Sequence, residues 1–225
     1  MILKGAHMGR HYFNPGCALS IYKPYMEGRI LDFLNRSFGE VHMHNICCRH
    51  EPKLEPGSVI INVCAGCDRR FRSLYEGVST LSLWELIDGL ESFEYPDYGG
   101  LKMSVHDACP VRERSGVHQA VRSLLSKMNI EVVETEFREG RSVCCGDDLY
   151  PSLPVEKVEE AMRRRASSMP CEEVCVYCVS CIKAMHIGGR TPRHLADLLM
   201  GEATEPQEVD IARWHDRLQE YIDAH

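Results

Sequence analysis

The sequence predicts an α/β protein made of two pseudo-symmetric small α/β subdomains that derive from an internal duplication. The first observation is a cysteine order, C … CC … C-x-x-C, that occurs twice along the chain. The second is that strand-like and helix-like segments alternate in the same order around both copies. Self-similarity of this kind is the signature of a structural repeat, and alternating strands and helices are typical of α/β folds.

Each half begins with a short segment that leads into a lone cysteine, HYFNPGC (11–17) in the first half and MSVHDAC (103–109) in the second. A stretch with apolar residues at the 3.6-residue helical period follows in both halves. These helical stretches are RILDFLNRSF (29–38) and VHQAVRSLLSKM (117–128).

Short strand-like pieces come next, EVHMHN (40–45) and IEVVETEF (130–137), and each precedes a pair of adjacent cysteines. A run typical of a buried strand then leads into each C-x-x-C motif. These runs are SVIINVC (58–64) and EEVCVYC (172–178). Each half ends with a further helical segment, SLWELIDGL (82–90) and PRHLADLL (192–199). The cysteines are therefore expected where strands end and helices or loops begin.

The subdomain boundaries follow from the repeat. YPDYGG (95–100) supplies proline and glycine between the halves and is a linker candidate. We expect a first cysteine-rich subdomain over 8–97, a second over 98–203 and a helical tail over 204–225. Ile211, Trp214, Leu218 and Ile222 form one apolar stripe of that tail, which we expect to pack on the body of the chain.

Composition restricts the function classes. The net charge is −7 without a basic stripe, which argues against a nucleic-acid partner. No apolar run approaches the roughly 20 residues that span a bilayer, and the first residues lack the apolar core of a signal peptide. We therefore expect a cytoplasmic protein without a membrane span.

Twelve cysteines in such a protein indicate metal binding or redox chemistry rather than disulfides. The adjacent pairs cannot easily bridge internally, because neighbouring Cα atoms are about 3.8 Å apart, whereas disulfides prefer about 5.5–6 Å. The candidate metal ligands are five cysteines per half, namely Cys17, Cys47, Cys48, Cys64 and Cys67, and then Cys109, Cys144, Cys145, Cys178 and Cys181.

Four thiolates saturate one zinc ion, so five favour a larger centre such as an iron–sulfur cluster, unless the fifth is a bystander. Cys171 and Cys175 fall outside the pattern and are interpreted as buried thiols, although Cys175 and Cys178 form an alternative C-x-x-C. His44, His50 and His106 lie near patterned cysteines and are either ligands, proton donors or ordinary core residues.

The second-half pattern, C-x(34)-C-C-G-x(31)-C-x-x-C, resembles the cysteine-rich CCG domain. That domain occurs twice in the B subunit of heterodisulfide reductase and also in iron–sulfur subunits of glycolate, lactate and glycerol-3-phosphate oxidoreductases. The resemblance covers both halves. It implies that each set of five cysteines holds a noncubane [4Fe-4S] cluster.

 The resemblance therefore implies two clusters, one in each half, of the type that cleaves a disulfide in the reductase relatives.

The resemblance also implies a role. The chain would be the catalytic subunit of an anaerobic oxidoreductase that reduces a disulfide or related sulfur substrate. Its electrons would come from an iron–sulfur or flavin protein partner, because the chain has neither a ferredoxin-type cysteine run nor a Gly-rich dinucleotide fingerprint. The alternatives are a non-catalytic electron-transfer subunit and a zinc-stabilised binding module.

The first half departs from the family pattern in two ways. Arg49 stands where the second half has Gly146, and only 15 residues separate Cys48 from Cys64, against 32 between Cys145 and Cys178. The extra stretch in the second half, PVEKVEEAMRRRASS (154–168), has helical spacing. We therefore expect the second site to be the reactive one, and zinc is an alternative at the first site.

Overall fold

A computed structural model describes residues 10–225, and two four-stranded parallel sheets organise this part of the chain. In each sheet the strands lie in the order second, first, third and fourth along that half of the chain, so the second sheet repeats the order of the first. Helices flank both sheets. The predicted α/β class with two similar subdomains is confirmed.

The first sheet and its helices lie between His11 and Asp88. Its strands are β1 (His11–Asn14), β2 (Val41–Met43), β3 (Val59–Asn62) and β4 (Ser79–Ser82). Its helices are α1 (Cys17–Tyr22), α2 (Pro24–Phe38), α3 (Ala65–Leu74) and α4 (Leu83–Asp88). The four residues of β3 are all buried, as expected for a strand with neighbours on both sides and helices on both faces.

The second sheet is built in the same way. Its strands are β5 (Leu101–His106), β6 (Ile130–Val132), β7 (Glu173–Val176) and β8 (Thr191–His194). Its helices are α5 (Ser115–Lys127), α6 (Val155–Ser167), α7 (Val179–Ile187) and α8 (Leu195–Leu199), and the chain continues into α9 (Ile211–Ala224).

The structure adds elements that the sequence did not predict. In each half a helix begins directly after the first cysteine of the C-x-x-C motif; these helices are α3 and α7. Each half also has a fourth strand, β4 in the first and β8 in the second. These strands have four residues each, STLS and TPRH, and β4 is only partly buried. Neither segment shows the alternation of apolar and polar residues that predicts a strand. Their pairing with β3 and β7 defines them instead.

The described residues form two compact units. One contains the chain up to Glu91 together with Arg217–His225, and the other contains Ser92–Asp216. Residues 8 and 9, at the start of the expected first subdomain, lie outside the described residues. Three apolar positions of the predicted tail stripe, Ile211, Trp214 and Ile222, are buried.

Within residues 10–225, no helix combines the length and the apolar character that crossing a bilayer requires.

A substitution at Gly188 tests how closely α6 packs on α7 in the second unit. A Cβ atom at Gly188 would overlap with the Cβ of Ala166 and would lie 3.2 Å from the Met162 carbonyl oxygen. Gly188→Ala should therefore lower the free energy of unfolding by roughly 1–3 kcal/mol, as overpacking does. Urea unfolding followed by circular dichroism measures this change.

The matched control is Gly28→Ala in α2, where a Cβ atom meets nothing within 4 Å. Because alanine is a better helix former than glycine, this change should stabilise the protein by about 0.5–1 kcal/mol. Equal effects of the two substitutions would contradict the close packing of α6 on α7.

Candidate metal centres

The ten patterned cysteines lie after the carboxyl ends of the strands. In parallel sheets these ends meet at one edge, which is where ligands bind in α/β folds. In the first unit Cys17 follows β1, the Cys47–Cys48 pair follows β2, and Cys64 follows β3. Cys64 is the residue that precedes α3, and Cys67 lies in its first turn.

The five patterned cysteines of the first unit form a connected set, which we call the first cysteine row. The thiol of Cys47 is in hydrogen-bond contact with those of Cys17 and Cys48. The thiol of Cys67 contacts those of Cys48 and Cys64. The order along the row is therefore Cys17, Cys47, Cys48, Cys67 and Cys64.

The second unit brings its five patterned cysteines together in the same order, and we call this set the second cysteine row. The thiol of Cys144 contacts those of Cys109 and Cys145. The thiol of Cys181 contacts those of Cys145 and Cys178. Besides contacting each other, the two adjacent cysteines contact different thiols of the row: Cys144 contacts Cys109, and Cys145 contacts Cys181. All twelve cysteines are free thiols.

Each row contains a cysteine of the adjacent pair whose pKa is lowered by neighbouring thiols. The pKa of Cys47 is lowered because the thiols of Cys17 and Cys48 donate hydrogen bonds to it. The pKa of Cys144 is lowered in the same way by Cys109 and Cys145, and the backbone N–H of Gly146 also donates to its Sγ at 3.4 Å. The thiolate is the form that binds metals, so these contacts favour metal loading.

The two remaining cysteines lie outside the rows. Cys175 is fully buried inside β7, and burial raises the pKa of its thiol. Cys171 is half-buried, and its backbone N–H donates to Ser104 Oγ at 3.0 Å. The motif that reaches the second row is therefore Cys178 with Cys181, not Cys175 with Cys178.

The residues at the end of α9 cover the first row. Ile222 belongs to the same buried cluster as Cys47, Cys48 and Cys67. The Cys47 N–H donates to the His225 carbonyl oxygen at 3.2 Å, and His50 Nε2 lies 2.7 Å from the Ile222 carbonyl oxygen. The shortened spacer of the first half does not leave this row open, because residues distant in sequence take the place of the missing segment.

In the second unit, α6 occupies the space beside the cysteine pair. Gly146 has a φ of +110°, and a Cβ atom there would lie 3.1 Å from both the backbone nitrogen and Cγ of Met162. Only glycine accepts this conformation and this close approach of a helix without strain. The first half has no counterpart of α6, which explains why Arg49 is tolerated at the equivalent position.

Two cations of the second unit are buried. Arg165 of α6 is 4% exposed, and its side chain donates to neutral groups: His106 Nδ1, the Phe137 carbonyl oxygen and Ser168 Oγ. Lys183 of α7 is also 4% exposed, and its Nζ lies 2.7 Å from Asp147 Oδ1.

Burying a cation is costly unless anionic groups compensate it. Within residues 10–225, Arg165 forms no ion pair with a carboxylate, but it interacts electrostatically with Asp107, Cys181, Cys145 and Cys144. A group that makes the cysteines anionic would supply the missing negative charge. The side-chain chemistry around the second row therefore fits a thiolate-bound metal centre.

The three histidines near the rows differ in their hydrogen bonding. His44 Nδ1 lies 3.1 Å from Asn14 Nδ2, and its Nε2 lies 3.0 Å from the Pro52 carbonyl oxygen, so both ring nitrogens have protein partners. His50 binds the backbone through Nε2. His106 is different, because its buried Nε2 has no hydrogen-bond partner within residues 10–225.

A ring nitrogen of His106 and the Sγ atoms of Cys145 and Cys181 lie within 4.8 Å of one another, and all three residues are buried. Three potential ligand atoms at this separation could hold a metal ion. The clustered cysteines and this group fit a metal-binding redox role.

Sequence reasoning missed Arg165 and Lys183. The signal for Arg165 was its position three residues after Met162, on the apolar stripe of α6, where an arginine must be buried or disrupt the packing. The carboxylate of Asp147, directly after Gly146, pairs with Lys183 and lies 3.4 Å from His215 Nε2. Of the two arginines after Cys67, Arg70 donates to the Cys48 carbonyl oxygen and Arg69 is exposed.

Comparison of the chain with protein-family models and with curated proteins found no match.

The second row can be tested by removing one thiol. Cys145→Ser should reduce the metal content of the anaerobically purified protein by up to half, because Cys145 lies in the middle of one of two rows. Cys171→Ser is the control, since Cys171 lies outside both rows, and it should retain the full content. Metal analysis by mass spectrometry is the measurement, and an unchanged content in Cys145→Ser would remove this thiol from the ligand set.

The first row can be tested through Gly16, which has a φ of +78°. A Cβ atom there would lie 2.9 Å from Cys64 Cβ and 3.3 Å from Cys67 Sγ. Gly16→Ala should therefore displace the C-x-x-C thiols and lower the metal content associated with the first row, while the second row stays loaded.

Gly39→Ala is the control for Gly16→Ala. Gly39 has a similar left-handed φ of +93°, but a Cβ atom there meets nothing within 4 Å. Both variants should lose about 1–2 kcal/mol of stability from backbone strain, and only Gly16→Ala should lose metal. The same metal loss in both variants would assign the effect to strain rather than to the thiols.

Proposed function

We propose that this chain is an iron–sulfur redox protein that reduces a disulfide or a related sulfur substrate with electrons from a partner protein. The observation that carries the proposal is the connected row of five thiols, which occurs twice with the same order of contacts. Four thiolates are enough for one zinc ion. Five thiols connected in one row exceed that number and suit a larger centre.

The residues that would hold a [4Fe-4S] cluster of the noncubane type in each unit are those of the two cysteine rows. When bound, such a cluster supplies one-electron redox chemistry and an iron atom that a substrate sulfur can approach. The resemblance to the CCG domain of heterodisulfide reductase supports this cofactor, and the buried Arg165 beside the second row supports an anionic centre there.

The second row is the better candidate for the substrate site. Cys109, Cys144 and Cys178 are partly exposed, so three of its five members are accessible from solvent. In the first row only Cys17 and Cys64 are partly exposed, and α9 residues pack over the cysteine pair. We propose that the first row holds a second cluster or zinc and serves electron relay or structure.

The overall reaction breaks one S–S bond and forms two thiols, and it consumes two electrons and two protons. Protons come from solvent. Electrons come from an iron–sulfur or flavin protein, which is the class of donor that passes single electrons. Arg165 helps to balance the charge of the second site, since its buried positive charge interacts with Cys181, Cys145 and Cys144.

The test begins with iron, sulfide and zinc analysis of protein purified without oxygen. Electron paramagnetic resonance of the oxidised protein, with and without added alkyl thiols, then probes the substrate site. We expect a thiol to shift the cluster signal in the wild type and in Cys171→Ser, and Cys144→Ser to abolish the shift.

Two results would contradict the proposal. A fully loaded protein whose signal is indifferent to every thiol would be an electron-transfer subunit. A protein that holds zinc and no iron would be a metal-stabilised binding module.

A further inference from the structure

His106 is the last residue of β5 and is 1% exposed. It lies three residues before Cys109, at the edge of the sheet where the second cysteine row lies. Arg165 Nε donates to its Nδ1 at 3.1 Å, and this contact is buried.

The contact with Arg165 determines which nitrogen of His106 carries the proton. A guanidinium group can only donate hydrogen bonds, because it has no acceptor and stays protonated in proteins. His106 Nδ1 must therefore present its lone pair to Arg165. In a neutral imidazole the proton then resides on Nε2.

The protonated nitrogen has no partner among the described residues. His106 Nε2 is buried without a hydrogen bond, which is costly for a donor. A ring nitrogen of His106 lies within 4.8 Å of the Sγ atoms of Cys145 and Cys181, and Nδ1 is already engaged. The Sγ atoms of Cys145 and Cys181 are therefore acceptors that lie close to this ring.

We propose that His106 is not a metal ligand but donates its Nε2–H to sulfur at the second cysteine row, with Arg165 as the positioning residue that fixes the tautomer. This inference rests on the proposed function, because it assigns a role to His106 at the same metal centre. A nitrogen that carries a proton cannot coordinate a metal, so the ligand set of this site consists of thiolates.

The first row lacks this donor. Asn14 is the last residue of β1 and lies three residues before Cys17, so it is the counterpart of His106. Its Nδ2 is directed to His44 Nδ1, and its Oδ1 can only accept hydrogen bonds. Hydrogen bonds to the sulfurs of an iron–sulfur centre raise its reduction potential. The second centre is therefore tuned to accept electrons more readily.

The first experiment compares His106→Phe with His118→Phe. His118 is an equally buried histidine of the same unit whose Nε2 also lacks a partner, and its electrostatic neighbours are Asp107, Arg122 and Glu139 rather than cysteines. Iron content and the reduction potentials of the centres are measured for both variants and for the wild type.

We expect His106→Phe to keep the wild-type iron content and to shift the potential of one centre to a more negative value. His118→Phe should leave both potentials unchanged. An iron loss in His106→Phe as large as that in Cys181→Ser would make His106 a ligand, and an unchanged potential with full iron content would exclude the hydrogen bond. Either result overturns the proposal.

A second measurement needs no substitution at His106. Long-range proton–nitrogen correlation spectra of the metal-free or zinc-containing wild-type protein report the tautomer of each histidine. We expect His106 to be the Nε2–H tautomer, and Arg165→Met to give a mixture of tautomers. A protonated Nδ1, or a metal on Nε2, would overturn the inference.

The two proposals fail in different ways. Zinc without iron in the wild type would refute the redox function, and the tautomer spectrum of that zinc form would still decide the role of His106.

Discussion

Contact between thiols at the carboxyl edge of a parallel sheet is the constraint on which both halves of this protein depend. Adjacent cysteines cannot bridge each other, so each must find a partner from another segment. The lone cysteine after the first strand of each half meets one member of the pair, and the C-x-x-C motif meets the other. Three segments must therefore be held at fixed positions, and the strand order of each sheet holds them.

The two halves solve the same packing problem with different parts. In the second half α6 packs beside the cysteine pair, which requires Gly146 in a left-handed conformation and brings the buried Arg165 to the site. In the first half that helix is absent, and Ile222 and the backbone of the chain's last residues cover the cysteines. The shorter spacer of the first half and its Arg49 in place of glycine both accompany the absence of a helix that corresponds to α6.

This difference also separates the chemistry of the two rows. Arg165 adds a positive charge beside the second row and directs the proton of His106 to Nε2. At the first row Asn14 and His44 hydrogen-bond to each other. The arginine there, Arg70, donates to the Cys48 carbonyl oxygen and not to a histidine ring. Two sites with equivalent thiols therefore have unlike surroundings, which suits a protein in which one centre reacts and the other relays electrons or maintains structure.

The sequence by itself determined the α/β class, the duplication and the spacing of the cysteines, because strand and helix periodicities and residue order are local properties. It did not reveal α3, α7 or the short strands β4 and β8, whose existence depends on pairing and packing with distant residues. It also left His106 undecided. Only the tertiary structure brought Lys183 to Asp147 and Arg165 to His106, since an ion pair and a hydrogen bond between residues 36 and 59 positions apart leave no pattern in the sequence.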